Sequence, residues 1–439
     1  MPKRFLSLIL TVLTFMLCMA GAYVHAEETT EKIEPYEVTH ANAAIVYNLE
    51  NDRYIYEMDA DEVIYPSSTV KLMTAILALE ALGDDLTKEV TVPAGAVAYV
   101  QGNNIALKRD EVVTVKDLLY ALIVGCANDA ANVLAYEIAG GIDEFVVMMN
   151  AKAKELGAEN TLYTNPTGMH HPAMVTTARD TAIIATYAAK IDLMMEISSV
   201  EKYVMNATNK EKQRTIFNKN YYFSSHMEYK YIWSIPLGLN AGYTVEGGYC
   251  IATTAVRDGL TYVVVVMGAQ ADEDYIYSYT EAANLIKWAF NAYGYTKLLT
   301  TADMICEMPV RLASKVDYVM LFPSQDVELY LPVDIDVSKD LKIDWVLDGD
   351  YFTAPVSEGA VGGHLTIEFD GQNLGTYDLI TRNGVDRSNI LYILDLLGGL
   401  IASTQFKAAI LVVVLLIVAY VVVLIWMQYA RRKRYRRRR

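Results

Sequence analysis

The chain has 439 residues, of which 53% are hydrophobic and 21% are charged. This length accommodates two or three domains of about 100–200 residues each, and the apolar content excludes a wholly disordered chain. The formal net charge of −16 argues against a nucleic-acid-binding protein. Residues 27–406 carry 26 basic and 53 acidic side chains, whereas the charges at both ends are all basic. An acidic body with basic ends is typical of a membrane-oriented protein.

The first 26 residues have the three parts of a secretory signal peptide. Lys3 and Arg4 form a charged start, an apolar stretch follows from Phe5 to about Ala20, and Val24-His25-Ala26 offers a small-x-small cleavage site. An uncleaved membrane anchor is the alternative. We expect residues 1–26 to be removed on export.

The C-terminal region predicts one membrane span. Ala408–Met427 is uncharged and long enough to cross a hydrocarbon core of about 30 Å. We expect a transmembrane helix over 407–429, a basic cytoplasmic tail over 430–439 and the remainder outside, by the positive-inside rule. The apolar part of residues 388–406 is too short to span and contains two glycines. A membrane-surface segment is favoured there over a docked core helix.

The body of the chain alternates strand and helix patterns. A β-hairpin is predicted over 41–57, and apolar residues at helical spacing follow Pro66. Further helices are predicted over 113–140, 143–156, 176–190 and about 280–293, with Thr176 or Thr177 as an N-cap. The β-branched run 247–269 contains a hairpin turn at Arg257-Asp258-Gly259. This order predicts an α+β domain with one antiparallel sheet over residues 27–298.

The texture of the sequence changes after residue 298. Short alternating runs separated by Pro, Asp and Gly predict a small all-β sandwich over 299–387. Cys126, Cys250 and Cys306 remain after the signal peptide, and an odd number implies at most one bridge and no disulfide framework.

Three short patterns carry possible chemistry. Ser68 and Lys71 lie three positions apart at the start of an apolar helix, where a buried, deprotonated lysine could activate the serine. The same spacing recurs at Ser199 and Lys202, so the spacing alone is weak. Cys126-Ala127-Asn128-Asp129 could place a proton relay and an amide over a nucleophile, or mark a corner between helices. The segment 238–244, GLNAGYT, enters a strand with a glycine that would permit close approach of a ligand, or is an ordinary turn and strand.

Together these patterns resemble the serine D-alanyl-D-alanine carboxypeptidases (peptidase family S11), the low-molecular-mass penicillin-binding proteins. That family carries S-x-x-K, S-x-N and K-T-G motifs in this order. The resemblance covers about residues 38–385 and extends to the segment around Asn165-Pro166-Thr167-Gly168, to Asn218-Lys219-Asn220 and to the APVSEGAVGG stretch. It implies a β-lactamase/transpeptidase-like domain followed by the β sandwich.

The resemblance also implies a mechanism and partners. Ser68 would be the nucleophile that forms an acyl-enzyme, Lys71 its base, and Asn128 a group that orients the substrate. The substrate would be the D-Ala-D-Ala end of a peptidoglycan stem peptide, with β-lactams as acylating mimics and no metal or organic cofactor. The backbone N–H groups of Ser68 and Tyr243 would form the oxyanion hole.

The sequence departs from the family motifs at two places. Cys126 replaces the serine of the second motif, and a thiol is a weaker hydrogen-bond donor than a hydroxyl. Asn240-Ala241-Gly242 replaces Lys-Thr-Gly, which removes a positive charge and a hydroxyl from the site expected to bind the substrate carboxylate. Lys219 or Lys230 could supply the missing charge.

Two interpretations therefore remain open from the sequence. The protein is a working carboxypeptidase with an altered carboxylate site, or a degenerate homologue that binds stem peptide or a wall-synthesis partner without useful turnover. A β-lactamase is less consistent with the β domain and the membrane span.

Overall fold

A computed structural model of the chain describes residues 33–223, Tyr231 and residues 235–436. The predicted signal peptide lies outside the described residues. The chain divides into two compact units. The first runs to Gly294 and includes Pro332–Asp334, and the second comprises Tyr295–Leu331 and the chain from Ile335 onward.

The first unit contains one five-stranded antiparallel sheet, as predicted. Its strands are β1 (Ala43–Asn48), β2 (Arg53–Met58), β7 (Pro236–Thr244), β8 (Gly248–Arg257) and β9 (Leu260–Ala269). The strand order is β2-β1-β9-β8-β7, which makes β7 an edge strand. Both predicted hairpins are present, since β1 pairs with β2 and β8 pairs with β9.

Helices and two small strand pairs complete this unit. A single 3₁₀ turn over Ser67–Thr69 precedes the first α-helix. The helices are α1 (Val70–Leu82), α2 (Ala94–Val97), α3 (Val115–Ile123), α4 (Asn128–Ala139), α5 (Ile142–Leu156), α6 (Ala178–Ala189), α7 (Asp192–Ser198) and α8 (Tyr277–Ala292). The paired strands are β3 (Glu89–Thr91) with β4 (Val112–Thr114), and β5 (Lys202–Met205) with β6 (Arg214–Phe217).

Local sequence signals explain where several helices begin. The Thr177 side chain accepts a hydrogen bond from the Asp180 N–H at 3.0 Å, so the predicted N-cap of α6 is confirmed. A capping box between Thr114 and Asp117 starts α3. The helical stretch predicted over 113–140 is divided into α3 and α4, and the break lies at Cys126, where the sequence left open a corner between helices. Cys126 adopts a φ of 52° there, which a helix cannot accommodate.

Helix α1 is the central helix of the first unit. Every residue from Val70 to Leu79 is buried, so its hydrophobic residues face protein on all sides. A helix with this pattern belongs in the core of a domain. The N-terminal end of α1, which includes Lys71, is therefore buried.

The second unit is mainly β structure, as predicted for residues 299–387. The elements are β10 (Tyr293–Leu299), β11 (Cys306–Arg311), β12 (Tyr318–Pro323), β13 (Val327–Pro332), α9 (Val337–Asp340), β14 (Leu341–Leu347), β15 (Phe352–Thr353), β16 (Val361–Phe369) and β17 (Gln372–Thr381). A six-stranded sheet has the order β14-β16-β17-β12-β11-β15, and β10 pairs with β13 in a second sheet. Its core is formed by side chains such as Leu321, Leu331 and Ile367.

Two apolar helices end the chain. Helix α10 (Asn389–Ala402) has no buried residue, and α11 (Thr404–Arg436) follows after Ser403. Within α11, Thr404–Arg431 is long and apolar enough to cross a membrane, and none of it is buried in protein. It is the one such helix among the described residues.

Candidate active site

Ser68 lies in the 3₁₀ turn that leads into α1, with Lys71 in the first turn of the helix. Ser67 anchors this turn; it is buried and has a φ of 51°. The Ser67 hydroxyl is 2.9 Å from the Thr244 hydroxyl and donates to the Gly248 carbonyl at 3.1 Å. These contacts tie the turn to β7 and β8 and leave Ser68 partly exposed.

The Lys71 amine lies 3.5 Å from the Ser68 hydroxyl oxygen. It also donates a hydrogen bond to the Thr167 backbone carbonyl, and the side chain is only 2% exposed. Burial lowers the pKa of the Lys71 ammonium, and the neighbouring Cys126 side chain opposes that shift. A lysine with a lowered pKa has a larger neutral fraction, which is the form that can accept a proton from a hydroxyl.

The loop 165–168 positions the amine of Lys71. The Asn165 side-chain oxygen accepts hydrogen bonds from the backbone N–H groups of Thr167 at 3.1 Å and of Gly168 at 2.9 Å. Gly168 has a φ of 77°, and a Cβ there would lie 3.0 Å from the Ser68 Cα. The sequence indicated this loop only through the family resemblance. It did not predict that the Thr167 carbonyl would accept a hydrogen bond from the Lys71 amine.

The second predicted element lies between α3 and α4, beside the first. Cys126 is 3% exposed, and its thiol lies 4.0 Å from the Ala241 carbonyl oxygen. The Asn128 amide nitrogen donates to the Gln101 carbonyl at 2.6 Å. The Asn128 side-chain oxygen is buried and has no partner among the described residues. A buried acceptor without a donor is suited to a ligand that brings an N–H group.

Strand β7 brings the third predicted element against the turn. A Cβ on Gly242 would lie 3.3 Å from the Ser68 Cα and closer still to its side chain, so only glycine permits this approach. Ala241 is buried, whereas Tyr243 is exposed and its ring lies 4.4 Å from that of Tyr249. Asn240 is 4% exposed, with no partner for its side-chain oxygen in the described part of the chain.

A cavity of about 300 Å³ opens at Ser68. It brings together all but two of the predicted site residues: Cys126 and Asn240 are not among the described residues that line it. Lys219 lies at this cavity, whereas Lys230 lies outside the described residues. The lining residues are Ser68, Lys71, Gly102, Asn103, Asn128, Thr167, Gly168, Met169, Lys219, Tyr221, Ala241, Gly242, Tyr243, Thr244, Tyr249, Cys250, Ser278 and Tyr279.

The second Ser-x-x-Lys spacing has no such setting. Ser199 follows the end of α7 and is exposed, with its hydroxyl donating to the Glu196 carbonyl at 3.0 Å. Lys202 is an exposed residue of β5. The two residues therefore do not share a helix face or a buried environment.

The three cysteines Cys126, Cys250 and Cys306 are free. Cys250 lines the cavity, and burial raises the pKa of its thiol to about 11. A thiol with this pKa stays protonated at neutral pH, so it is not a competing nucleophile.

The fold is that of the penicillin-binding proteins. Residues 28–271 match the model of the D-alanyl-D-alanine carboxypeptidase family, and the chain belongs to this family. Residues 296–387 match the C-terminal domain of penicillin-binding protein 5.

Individual relatives cover most of the chain. It is 25% identical over 398 residues to D-alanyl-D-alanine carboxypeptidase DacF of Bacillus subtilis, covering 89% of this chain and 97% of the relative. It is 28% identical over 385 residues to the Escherichia coli carboxypeptidase DacC, covering 85% and 90%. Among solved structures, penicillin-binding protein 6B of Escherichia coli aligns with a TM-score of 0.60 at 22% identity, covering 81% of this chain and all of the other. Penicillin-binding protein 5 of Haemophilus influenzae aligns with a TM-score of 0.58 at 24% identity, covering 81% and 99%.

Proposed function

We propose that the protein is a serine-type D-Ala-D-Ala carboxypeptidase that removes the terminal D-alanine from peptidoglycan stem peptides. The observation that carries this proposal is the buried Lys71 amine, 3.5 Å from the Ser68 hydroxyl oxygen at the floor of an open cavity. Membership of the carboxypeptidase family supports the same reaction.

In acylation, neutral Lys71 takes the proton of the Ser68 hydroxyl, and the serine oxygen attacks the carbonyl of the penultimate D-alanine. The carbonyl oxygen becomes an oxyanion, which the backbone N–H groups of Ser68 and Tyr243 stabilise. The C–N bond then breaks, and the amine of the last D-alanine leaves with the proton that Lys71 held. The ester between Ser68 and the peptide remains.

In deacylation, water attacks the ester, Lys71 takes its proton and returns it to the Ser68 oxygen, and the shortened peptide leaves. The Thr167 carbonyl keeps the Lys71 amine directed toward this site. The unpartnered Asn128 side-chain oxygen accepts an N–H from the bound peptide. The Cys126 thiol takes the relay position of a hydroxyl, with reduced efficiency because it is a weaker hydrogen-bond donor.

The stem peptide docks along β7. In the described sheet this strand pairs only with β8, so its other edge is available to a peptide backbone. Asn240, Ala241, Gly242 and Tyr243 therefore bind substrate mainly through the strand backbone. β-Lactams enter the same cavity and acylate Ser68 as mimics of D-Ala-D-Ala.

The domain organisation and location belong to the same proposal. Residues 1–26 are a signal peptide, 27–298 the carboxypeptidase domain and 299–387 the β domain. Residues 388–406 lie at the membrane surface and 407–429 cross the cell membrane once. The catalytic domain faces outside, and the tail 430–439 is cytoplasmic. The apolar α11, with no buried residue in its span, supports the single crossing, and the basic tail supports its orientation.

The decisive experiment measures D-alanine release from a stem pentapeptide by the detergent-solubilised full chain, beside Ser68→Ala, Ser199→Ala and Asn240→Lys. We expect release by the parent and by Ser199→Ala, and none by Ser68→Ala. Asn240→Lys restores a positive charge, and we expect it to raise kcat/KM.

Absence of release by the parent at high enzyme concentration, where Asn240→Lys is active, would contradict the proposal. That outcome would identify a binding module. The matched pair Ser68→Ala and Ser199→Ala separates loss of the nucleophile from loss of any serine in an S-x-x-K spacing.

A further inference from the structure

A groove leads away from the cavity at Ser68. Its volume is about 350 Å³, and it shares the lining residues Asn128, Thr167 and Met169 with that cavity. Part of its wall is the segment 99–101, which lies in the connection between α2 and β4. The groove therefore extends the space open to a substrate beyond the point of acylation.

The segment 99–101 is tied to Asn128 at one end and free at the other. The Gln101 carbonyl accepts the hydrogen bond from the Asn128 amide at 2.6 Å, whereas Tyr99, two residues earlier, is 97% exposed. Tyr99, Val100 and Gln101 also line a second groove of about 470 Å³. The segment is thus a ridge between two grooves, with an exposed aromatic ring on it.

The Tyr99 side chain makes no use of its chemistry within the protein. Its hydroxyl forms no hydrogen bond, and its ring contacts no other ring or cation, in the part of the chain that the structure describes. A tyrosine combines a large apolar face with a polar tip, and such rings on surface loops are frequent ligand contacts. Tyr99 is therefore available to a ligand that lies across the ridge.

The first groove is uncharged but rich in amide groups. None of its described lining residues is charged, and four carry side-chain amides: Gln101, Asn128, Asn132 and Asn165. The Gln101 side chain is exposed and has no hydrogen-bond partner among the described residues. An amide offers donors and an acceptor without charge. Neutral acetylated sugars match this lining, because they present C–H groups on the face of the ring and hydroxyl and acetamido groups at its edge.

The groove lies where the proposed substrate carries its sugar. In the proposed mechanism Asn128 accepts an N–H of the peptide, and the same side chain lines the groove. Three residues precede the D-Ala-D-Ala pair in a stem pentapeptide and span roughly 10 Å when extended. The glycan strand is attached at that end. The Tyr99 Cα lies at most about 7 Å from that of Gln101, so the ridge is within this reach.

We propose that Tyr99, Gln101 and the groove beside them bind the acetylated sugar to which the stem peptide is attached. This inference rests on the proposed function and names a part of the substrate that lies outside the nucleophile cavity. The face of the sugar packs on the Tyr99 ring, and its edge exchanges hydrogen bonds with the Gln101 amide. The acid group of that sugar is consumed in the amide bond to the peptide, so the ligand is neutral, as the lining requires.

The test compares an N-acetylated stem pentapeptide with the same pentapeptide carrying an N-acetylglucosaminyl-N-acetylmuramyl group at its N-terminus. Neither substrate has a charged amino terminus, so they differ in the sugar alone. D-Alanine release is measured with the full chain in detergent for the parent, Tyr99→Ala, Tyr99→Trp and Gln101→Ala. Tyr275→Ala is the matched control, because Tyr275 is an exposed tyrosine that lines neither groove.

We expect the parent to have a kcat/KM at least about fivefold higher for the sugar-bearing peptide, on the order of one aromatic contact. Tyr99→Ala should bring the ratio of the two kcat/KM values close to one. Gln101→Ala should lower the ratio by about half, as for the loss of one hydrogen bond. Tyr99→Trp keeps a flat aromatic face and should retain the ratio, as should Tyr275→Ala.

The proposal is wrong if the parent does not distinguish the two peptides, if Tyr99→Ala keeps the parental ratio, or if Tyr275→Ala loses it equally. The Ser68→Ala protein, which cannot be acylated, gives a second measurement by calorimetric titration with both peptides. If the parent releases no D-alanine from either peptide, the proposed function fails. Tighter binding of the sugar-bearing peptide by Ser68→Ala, lost when Tyr99→Ala is added, would still support the groove, and equal affinities would exclude it.

Discussion

Gly242 and Ser68 approach so closely that a side chain on the glycine would displace the serine. A Cβ built on Gly242 would lie 2.6 Å from the Ser68 hydroxyl oxygen, which is well inside normal contact distance. The backbone of β7 can therefore reach the nucleophile only at a residue without a side chain. In the proposed mechanism, this closeness lets one strand contribute both a peptide-docking edge and an oxyanion donor.

We expect Gly242→Ala to slow acylation of Ser68 by a fluorescent penicillin by at least about 100-fold. The added methyl group forces the strand or the serine to shift, and a misplacement of about 1 Å is enough for a loss of this size. The matched control is Gly349→Ala, because nothing lies within 4 Å of a Cβ there. Equal labelling of the two variants would show that the close approach is not needed for acylation.

The pH dependence of acylation should reflect Lys71. Burial lowers the pKa of this ammonium below its ordinary value of 10.5. The neutral fraction grows as pH rises, so the labelling rate should increase with pH and level off below pH 10.5. Below the lowered pKa the amine is charged and cannot accept the Ser68 proton, so the rate should fall.

Lys71→Arg should abolish labelling at every pH, because a guanidinium stays protonated throughout the accessible range. Lys202→Arg changes the lysine of the second Ser-x-x-Lys spacing and should leave the profile as it is. A flat profile in the parent, or labelling of Lys71→Arg, would argue against a lysine base.

Cys126→Ser should raise the acylation rate by a few-fold, on the order of one improved hydrogen bond. A hydroxyl is a stronger donor than a thiol and occupies less space, so the buried site can accept it. Cys306→Ser is the control, since Cys306 lies in β11 of the second unit and does not line the cavity. A slower Cys126→Ser enzyme would indicate that the site is adapted to sulfur.

Two successive C-terminal truncations should first weaken and then abolish membrane attachment. The full chain should remain with membranes after alkaline carbonate washing, because Thr404–Arg431 is long enough to span. A chain that ends at Ser403 keeps the exposed apolar α10 and should bind membranes but be removed by carbonate. A chain that ends at Arg387 should be soluble.

Penicillin labelling of all three proteins serves as the control for folding. A soluble chain ending at Ser403 would contradict the membrane-surface position of α10. A carbonate-resistant one would mean that α10 inserts more deeply than its 14 residues suggest.

Features with local signals were predictable from the amino-acid sequence. The turn at Arg257-Asp258-Gly259, the Thr177 cap and the long apolar C-terminal segment each depend on neighbouring residues along the chain. The motif positions Ser68, Lys71 and Gly242 were also predicted, because the family resemblance adds order and spacing to residue type. The break between α3 and α4 lies at Cys126, where the sequence left a corner between helices and a proton relay as alternatives.

Contacts between distant parts of the chain determine which residues line the cavity, how buried they are and which hydrogen bonds they form. The Lys71 amine is desolvated and bonded to a carbonyl 96 residues away, and neither fact follows from the Ser-x-x-Lys spacing. The same holds for Ser278, which lines the cavity at the start of α8. Burial and hydrogen-bond satisfaction depend on contacts between distant parts of the chain, so local sequence cannot specify them.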